Sequence, residues 1–471
     1  MKTLFVSLYS DTPHFETELE LMSDLLDEGH AVHVVRCTGQ LGACLKNPEH
    51  KQGWCKLCVS KIDAGLASIA SPRLRVEPMR PVSGDPRLPR TFASVDELVA
   101  YSIDGANLGR GVFSTMCGRT LKNPQFDTRR FAATIRTELE AAWAVFATVR
   151  DAIAKVTPDR VYVFNGRFAT TFAAIEACRV AGVAYYTHER GGTPDRYLVR
   201  ANALPHDLSI NTAEIEATWA TGAADKETIA QRWFHDRRNG VERSWESFTK
   251  AQTVGKLPDG FDAAKRNVAV FNSTMEEYAS IKGWESPIYK DEVLGLVQIV
   301  DALAPRSDIH VYLRVHPHLK NVPRDDNYQL RAYAELERRS KNLTIIWPES
   351  PVHTYELLDR SDVTMTFGST VGVEACFWGR PSVLAGHALY EKLDCAHIPA
   401  SHDEVVRLLT SDPPTRDRLG ALKYGYWETV RGTRFTRFRP VGLYGGEWLG
   451  RPCRPSLVAR LQSAVLTRLG R

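Results

Sequence analysis

The chain has 471 residues, of which 43% are hydrophobic and 25% charged, and 60 Lys and Arg against 56 Asp and Glu leave a net charge of +4. Those proportions belong to a globular protein, and the length exceeds what one hydrophobic core usually organises, so two domains are expected. The slight positive balance argues against a dedicated nucleic-acid binder, and no apolar run approaches the roughly 20 residues that span a bilayer.

Residues 3–9 read as a first strand rather than a signal peptide. The apolar run is short, has no small-residue cleavage site and meets Asp11-Thr12-Pro13 at once. A cytoplasmic location is therefore expected. Residues 15–28 read as a helix, Gly29 as its C-cap and residues 31–36 as a second strand, which makes a βαβ opening. A cysteine-rich loop leaves that second strand. A long helical region is expected over residues 95–156, then a strand at 160–164 ending in Asn165-Gly166-Arg167. A small-residue helix at 168–181 and a strand at 183–187 follow, ending in His188-Glu189-Arg190. This alternation predicts a doubly wound sheet.

Residues 212–264 are polar and mostly helical in pattern, and the domain boundary is placed at Lys256-Leu257-Pro258-Asp259-Gly260. A second β/α series then runs through strands at 267–271, 309–315, 343–346 and 363–366. The fold class is thus α/β, with two Rossmann-like domains facing a cleft and a helical C-terminal segment. The divisions are residues 1–260, 261–400 and 401–471.

Chemistry-bearing residues collect at the carboxyl ends of the second series, where open α/β sheets bind ligands. They are Ser273 and Thr274, Arg314, His316 and Pro317, and Ser369 and Thr370 with Glu374 one helical turn on. Small hydroxyl residues before a helix suit an anion. Arg314 and His316 stand two apart, so on a strand they share a face, and a guanidinium beside an imidazole suits phosphate. The bland alternative makes His316 a loop cap.

These stretches carry a resemblance. RVHP at 314–317, WPESPVHTYELLDRSDV at 347–363 and TFGSTVGVEACFWGRPSVLAG at 366–386 resemble bacterial capsule and surface polysaccharide biosynthesis proteins, a group that includes Kdo transferases. The first half resembles the same group through CLKNPEHKQGWCKLC, FNGR and HERGG. The resemblance implies a GT-B glycosyltransferase that needs no cofactor for its chemistry. His316 and Pro317 would contact a cytidine or other nucleotide, Ser369 and Thr370 its phosphate, and Glu374 sugar hydroxyls. UDP-GlcNAc 2-epimerases share the two-domain fold and a His-Pro pair, and a glycan-binding assembly factor without catalysis is a further alternative.

An inverting transfer needs a base for the acceptor hydroxyl. Glu189 and His188 are the candidates, with Asp11 and His14 beside them, and an ion pair of Glu189 with Arg190 is the structural alternative. Asn165 and Arg167 read as acceptor contacts. No Asp-x-Asp pattern supports a catalytic metal. Nine cysteines, an odd number, do not suit a disulfide framework. Cys37, Cys44, Cys55 and Cys58, spaced C-x6-C-x10-C-x2-C, read as a structural zinc set, as reduced structural thiols or as a redox group. The tail interleaves aromatic and basic residues from 423 to 439 and ends in an arginine-studded amphipathic helix. It is expected to pack on the first domain, with contact to the inner membrane surface as the alternative. The expected partners are a nucleotide-sugar donor and a glycan or lipid-linked acceptor, with no nucleic acid.

Overall fold

The structure, a computed structural model, describes residues 1–79, 84–243 and 246–468. It divides into two compact units, one of Met1–Arg119, Gln125–Pro205 and Arg431–Arg471, the other of Thr120–Pro124 and His206–Val430. In the first unit, strands β1 (Lys2–Ser7), β2 (Ala31–Arg36), β3 (Leu74–Pro78), β4 (Arg160–Phe164) and β5 (Ala184–Arg190) are parallel. Strand β6 (Arg196–Ala201) adds antiparallel to β5. The order is β6-β5-β4-β1-β2-β3, so the winding reverses between β1 and β4.

Burial explains the choice of strand. Along β1, Leu4 and Val6 join a core with Val145, Phe146 and Val149 of a helix at Ala132–Val156, whereas Phe5 joins Phe15, Leu19 and Val34 on the opposite face. Side chains that alternate between two dry faces demand helices on both, the requirement of a buried parallel sheet. Helices α1 (His14–Asp27) and α2 (Gln52–Ala67) lie before β2 and β3. The expected cysteine-rich loop is therefore partly helix, since Cys55 and Cys58 sit in the first turns of α2.

The second unit repeats the plan. Strands β7 (Arg266–Phe271), β8 (Ile309–Arg314), β9 (Leu343–Ile346), β10 (Val363–Thr366) and β11 (Ser382–Leu384) are all parallel. Their order is β9-β8-β7-β10-β11, again with a reversal beside the first strand. Val268 and Val270 of β7 pack with Leu296 and Ile299, while Ala269 and Phe271 pack with Leu357, Leu358 and Ala375.

The division near residue 260 needs correction, because the change of unit falls between Pro205 and His206. Helix α3 (Lys226–Arg238) belongs to the second unit, where Phe234 stacks on Phe377 at 4.0 Å and Trp233 meets Tyr424 edge-on at 5.7 Å. The C-terminal segment is also divided. Residues 401–430 stay with the second unit, and only the chain from Arg431 joins the first. There it is strand first and helix after. Thr433–Arg434 pairs with β6, and Phe438–Val441, Gly445–Trp448 and Arg451–Pro452 form a three-stranded antiparallel sheet. Arg437 fixes it to α1 by donating to Glu20, Asp24 and Asp27. Helix α4 (Leu457–Arg468) then packs on α2, and residues 469–471 of the arginine-studded tail lie outside the described chain.

Candidate nucleotide site in the second unit

Strands β7 and β10 are neighbours with connections leaving on opposite sides, so their carboxyl ends form the switch point of the sheet. Asn272-Ser273-Thr274 leaves β7, Gly368-Ser369-Thr370 follows β10, and His316-Pro317 lies just past β8. A cavity of about 290 Å³ opens there. Ser273, Arg314, His316, Pro317, Ser369, Thr370 and Glu374 all line it; Thr274 does not and is fully buried.

Arg314 is the electrostatic centre of this cavity. It is only 4% exposed, its Nη1 donates to the Ser350 carbonyl at 3.2 Å, and its buried Nε has no partner. Burial lowers its pKa to about 10. Among the described residues no carboxylate lies within ion-pair distance of it. The Ser273 hydroxyl is likewise buried without a hydrogen-bond partner. A Cβ on Gly368 would stand 3.5 Å from that hydroxyl and 3.0 Å from the His387 carbonyl, so glycine lets the two loops approach.

The loop after β7 is braced from below. Ser273 N–H donates to both oxygens of Glu292 at 3.2 Å, and Gln329 and Tyr333 donate to the same carboxyl at 3.3 Å. Burial pushes the Glu292 carboxyl up to about 8. Asn272 accepts from His316 N–H at 2.7 Å, which ties the loops after β7 and β8 together. The His316 ring accepts from His318 N–H at 3.2 Å, and Phe248 meets the two imidazoles edge-on at 5.2 and 4.7 Å.

Glu374 differs from its expected part. It lines the cavity but is 1% exposed, and protein groups occupy both carboxylate oxygens. Arg237 Nε donates to it at 3.0 Å, Thr370 Oγ1 at 3.0 Å, and Tyr355 hydroxyl to the second oxygen. Arg237 also donates to Thr370 Oγ1 at 2.9 Å. Glu374 thus acts as the anchor of a cluster rather than as an open sugar ligand. The helix it begins, Val371–Phe377, has seven residues, and the Ser369 hydroxyl accepts from Val371 N–H at 3.3 Å. Arg237, Phe248 and Tyr355 were absent from the sequence-derived set. Arg237 and Phe248 come from polar helical or loop sequence that no strand immediately precedes, whereas Tyr355 lies in the 347–363 stretch after β9 but was not singled out there.

The first unit gathers a second group at its carboxyl edge. Asn165 donates to Glu189 Oε2 at 2.8 Å, and His14 Nδ1 stands 3.5 Å from Glu189 Oε1. Burial lowers the pKa of His14 to about 4, so its imidazole is neutral at pH 7. Asn165 is itself buried at positive φ, and its side-chain oxygen accepts from Arg167 N–H at 3.3 Å. It serves as a holder of Glu189 and of the turn, which replaces the expected acceptor contact. Arg167 stacks over Phe168 at 4.7 Å. His188 must be withdrawn as a base. Its side chain is fully buried, with Nε2 3.4 Å from Glu18, whose other oxygen accepts from Ser7.

Among the described residues no three His, Cys, Asp or Glu side chains are grouped to hold one metal ion, and Cys37, Cys44, Cys55 and Cys58 are free thiols.

No family model matches the sequence, and no curated protein matches it. Solved structures similar to the chain include two described as Thermosulfurimonas dismutans KpsC. One is a beta Kdo 2,4 transferase, at 14% identity over 66% of this chain and 87% of that one, with a TM-score of 0.34. The other is a beta Kdo 2,7 transferase, at 16% identity over 69% and 90%, with a TM-score of 0.35. A putative UDP-N-acetylglucosamine 2-epimerase from Listeria monocytogenes is similar at 12% identity over 92% and 99%, with a TM-score of 0.27. Those activities belong to the neighbours.

Proposed function

We propose that the cavity of the second unit binds the nucleotide of a nucleotide-sugar donor, and that the chain is a metal-independent glycosyltransferase for a capsule or other surface glycan. The observation that carries this reading is Arg314, a buried guanidinium with no carboxylate partner, facing a cavity that also holds an unpaired serine hydroxyl. A buried cation without a counter-charge is costly, and a phosphate supplies both the charge and the acceptor oxygens. Phe248, His316 and His318 offer ring surface to a base or sugar. The RVHP and GSTVGVE stretches, which resemble the surface-polysaccharide group, point to a pyrimidine nucleotide.

In the transfer, the acceptor oxygen bonds to the anomeric carbon as the bond from that carbon to the phosphate oxygen breaks. The electron pair leaves on the phosphate, where Arg314 meets the new charge. The acceptor proton goes to a base, to which we assign Glu189. Glu189→Gln is expected to lower turnover by about 100-fold or more while leaving donor binding unchanged.

Helix α4 supports a membrane-borne acceptor. Leu457, Val458, Leu461 and Val465 make one apolar stripe, exposed by 57–73%, while Ala459 and Ser463 pack inward. Exposed Arg460 and Arg468 accompany the stripe. An apolar stripe bearing cations fits an anionic lipid surface.

Incubation with CMP-, CDP-, UDP- and GDP-sugars tests the reaction. Nucleotide release that requires a glycan acceptor supports transfer. Conversion of the sugar nucleotide without an acceptor would instead establish an epimerase.

A further inference from the structure

A second cavity, of about 480 Å³, lies within the first unit, where α1 and α2 meet the antiparallel strands Gly445–Trp448 and Arg451–Pro452. That volume falls in the usual range of small-ligand sites. Its floor is buried: Phe15, Leu19 and Trp448 are apolar walls, and Glu16 and Lys61 form an ion pair at 2.9 Å. Its rim is exposed and carries Leu449, Arg451 and Arg454. Trp448 is fixed in place by donating from Nε1 to Ser68 Oγ at 2.9 Å.

The floor and the rim make opposite demands. Lys61 is saturated, since its ammonium also donates to the Ser10 carbonyl at 2.6 Å and to Thr12 Oγ1 at 2.5 Å. Glu16 is not saturated. Its Oε1 accepts from Lys61 and from Thr12, whereas Oε2 is buried with no partner but the Cys453 thiol. A thiol is a weak donor, so a buried carboxylate oxygen at the cavity retains a need for donors. At the rim, neither Arg451 nor Arg454 is paired with a carboxylate among the described residues, so both guanidinium groups are open to acceptor oxygens.

The cavity follows the helix layer rather than the strand ends. Helix α2 runs from the carboxyl edge of the sheet back to its amino edge, and the cavity follows it from Lys61 to Ser68 at its C-cap. Only the Lys61 end is tied to the carboxyl edge. Lys61 holds Thr12, whose carbonyl accepts from Arg190 Nη2 at 3.2 Å, and Arg190 follows Glu189. A ligand here is held beside the reacting edge, not at it.

We propose that this cavity binds an acidic saccharide, a segment of glycan already built that is gripped while transfer proceeds at the carboxyl edge. Sugar hydroxyls donate to Glu16 Oε2, ring faces lie on Phe15 and Trp448, and sugar carboxylates reach Arg451 and Arg454. A neutral sugar leaves the rim arginines unused, and an aliphatic anion without hydroxyls leaves Glu16 unsatisfied. The choice of a saccharide rests on reading the chain as a glycosyltransferase; the charge and the hydrogen-bond demand come from the cavity itself.

The test is calorimetric titration of the full chain with trigalacturonate, with a sialic acid trimer and with neutral maltotriose, each at low and high salt. Binding of an acidic trimer that weakens with salt is expected, with none of maltotriose. That binding should be lost in the Arg451→Glu, Arg454→Glu double variant, whose changes are on the exposed rim, and in Ala64→Trp, which fills the cavity from α2. Failure of both acidic trimers to bind, equal binding of maltotriose, or undiminished binding by both variants would overturn the proposal. The same samples are titrated with CMP, CDP and UDP. Nucleotide binding without trimer binding overturns this proposal alone. Trimer binding lost in the variants supports it even where no nucleotide binds, a result that would count against the donor site instead.

Discussion

Arg314 is held by one backbone carbonyl, and its burial costs folding energy that the charge of Glu349, beyond ion-pair distance, offsets only in part. Arg314→Met is therefore expected to leave Tm unchanged or raise it while abolishing any stabilisation by nucleotide. A structural arginine would show the reverse. Glu374 behaves oppositely: its loss strands Arg237, so Glu374→Ala should cost about 3 kcal/mol, the lower end for a broken buried pair because Arg237 is partly exposed. Denaturant titration checks that value. Glu292 gives a pH signature. Its carboxyl is raised from 4.5 to about 8 by burial, so folding takes up a proton between those values. The stability that it contributes is full below about pH 4.5 and falls away as pH rises to about 8. Glu292→Gln should flatten that part of the stability profile, and an unchanged slope would refute the assignment.

At the scale of elements, the strands were the legible part. Ser273, Arg314, His316 and Ser369 could be found because each ends or follows an apolar, β-branched run, and a strand end in an α/β sheet fixes its location. What a strand end does not reveal is which way a side chain points. His188 pairs within the sheet and turns inward to Glu18, and Glu374 turns to Arg237. Helix α2 was hidden because its first turns carry glycine, lysine and cysteine, with a weak apolar rhythm. Helix α4 was visible as amphipathic, yet the sequence did not show that its inward face is the small one, Ala459 and Ser463. Its exposed stripe leads to a prediction at this scale. Wild-type chain should co-sediment with vesicles containing anionic lipid and less so with neutral ones, and Leu461→Asp with Val465→Asp should remove that binding. Equal sedimentation of the variant would exclude α4 as the contact.

Over the whole molecule, the sequence conveyed two parallel sheets but not how the chain is shared between them. The described residues of 206–260 contain no strand, so pattern alone left them with the unit they follow. The aromatic contacts of Trp233 and Phe234 assign them to the unit that comes next. That reassignment bears on function, because it brings Arg237 and Phe248 to the cavity. The molecule then carries an anion-seeking cavity in one unit and a His14–Glu189 group in the other. Thermal denaturation of wild type and Arg314→Met with CMP, CDP, UDP and GDP tests the central claim most directly. A cytidine or uridine nucleotide should raise the Tm of the wild type and leave that of the variant unmoved. An equal rise in both proteins, a response to GDP alone, or no response to any nucleotide would contradict the account.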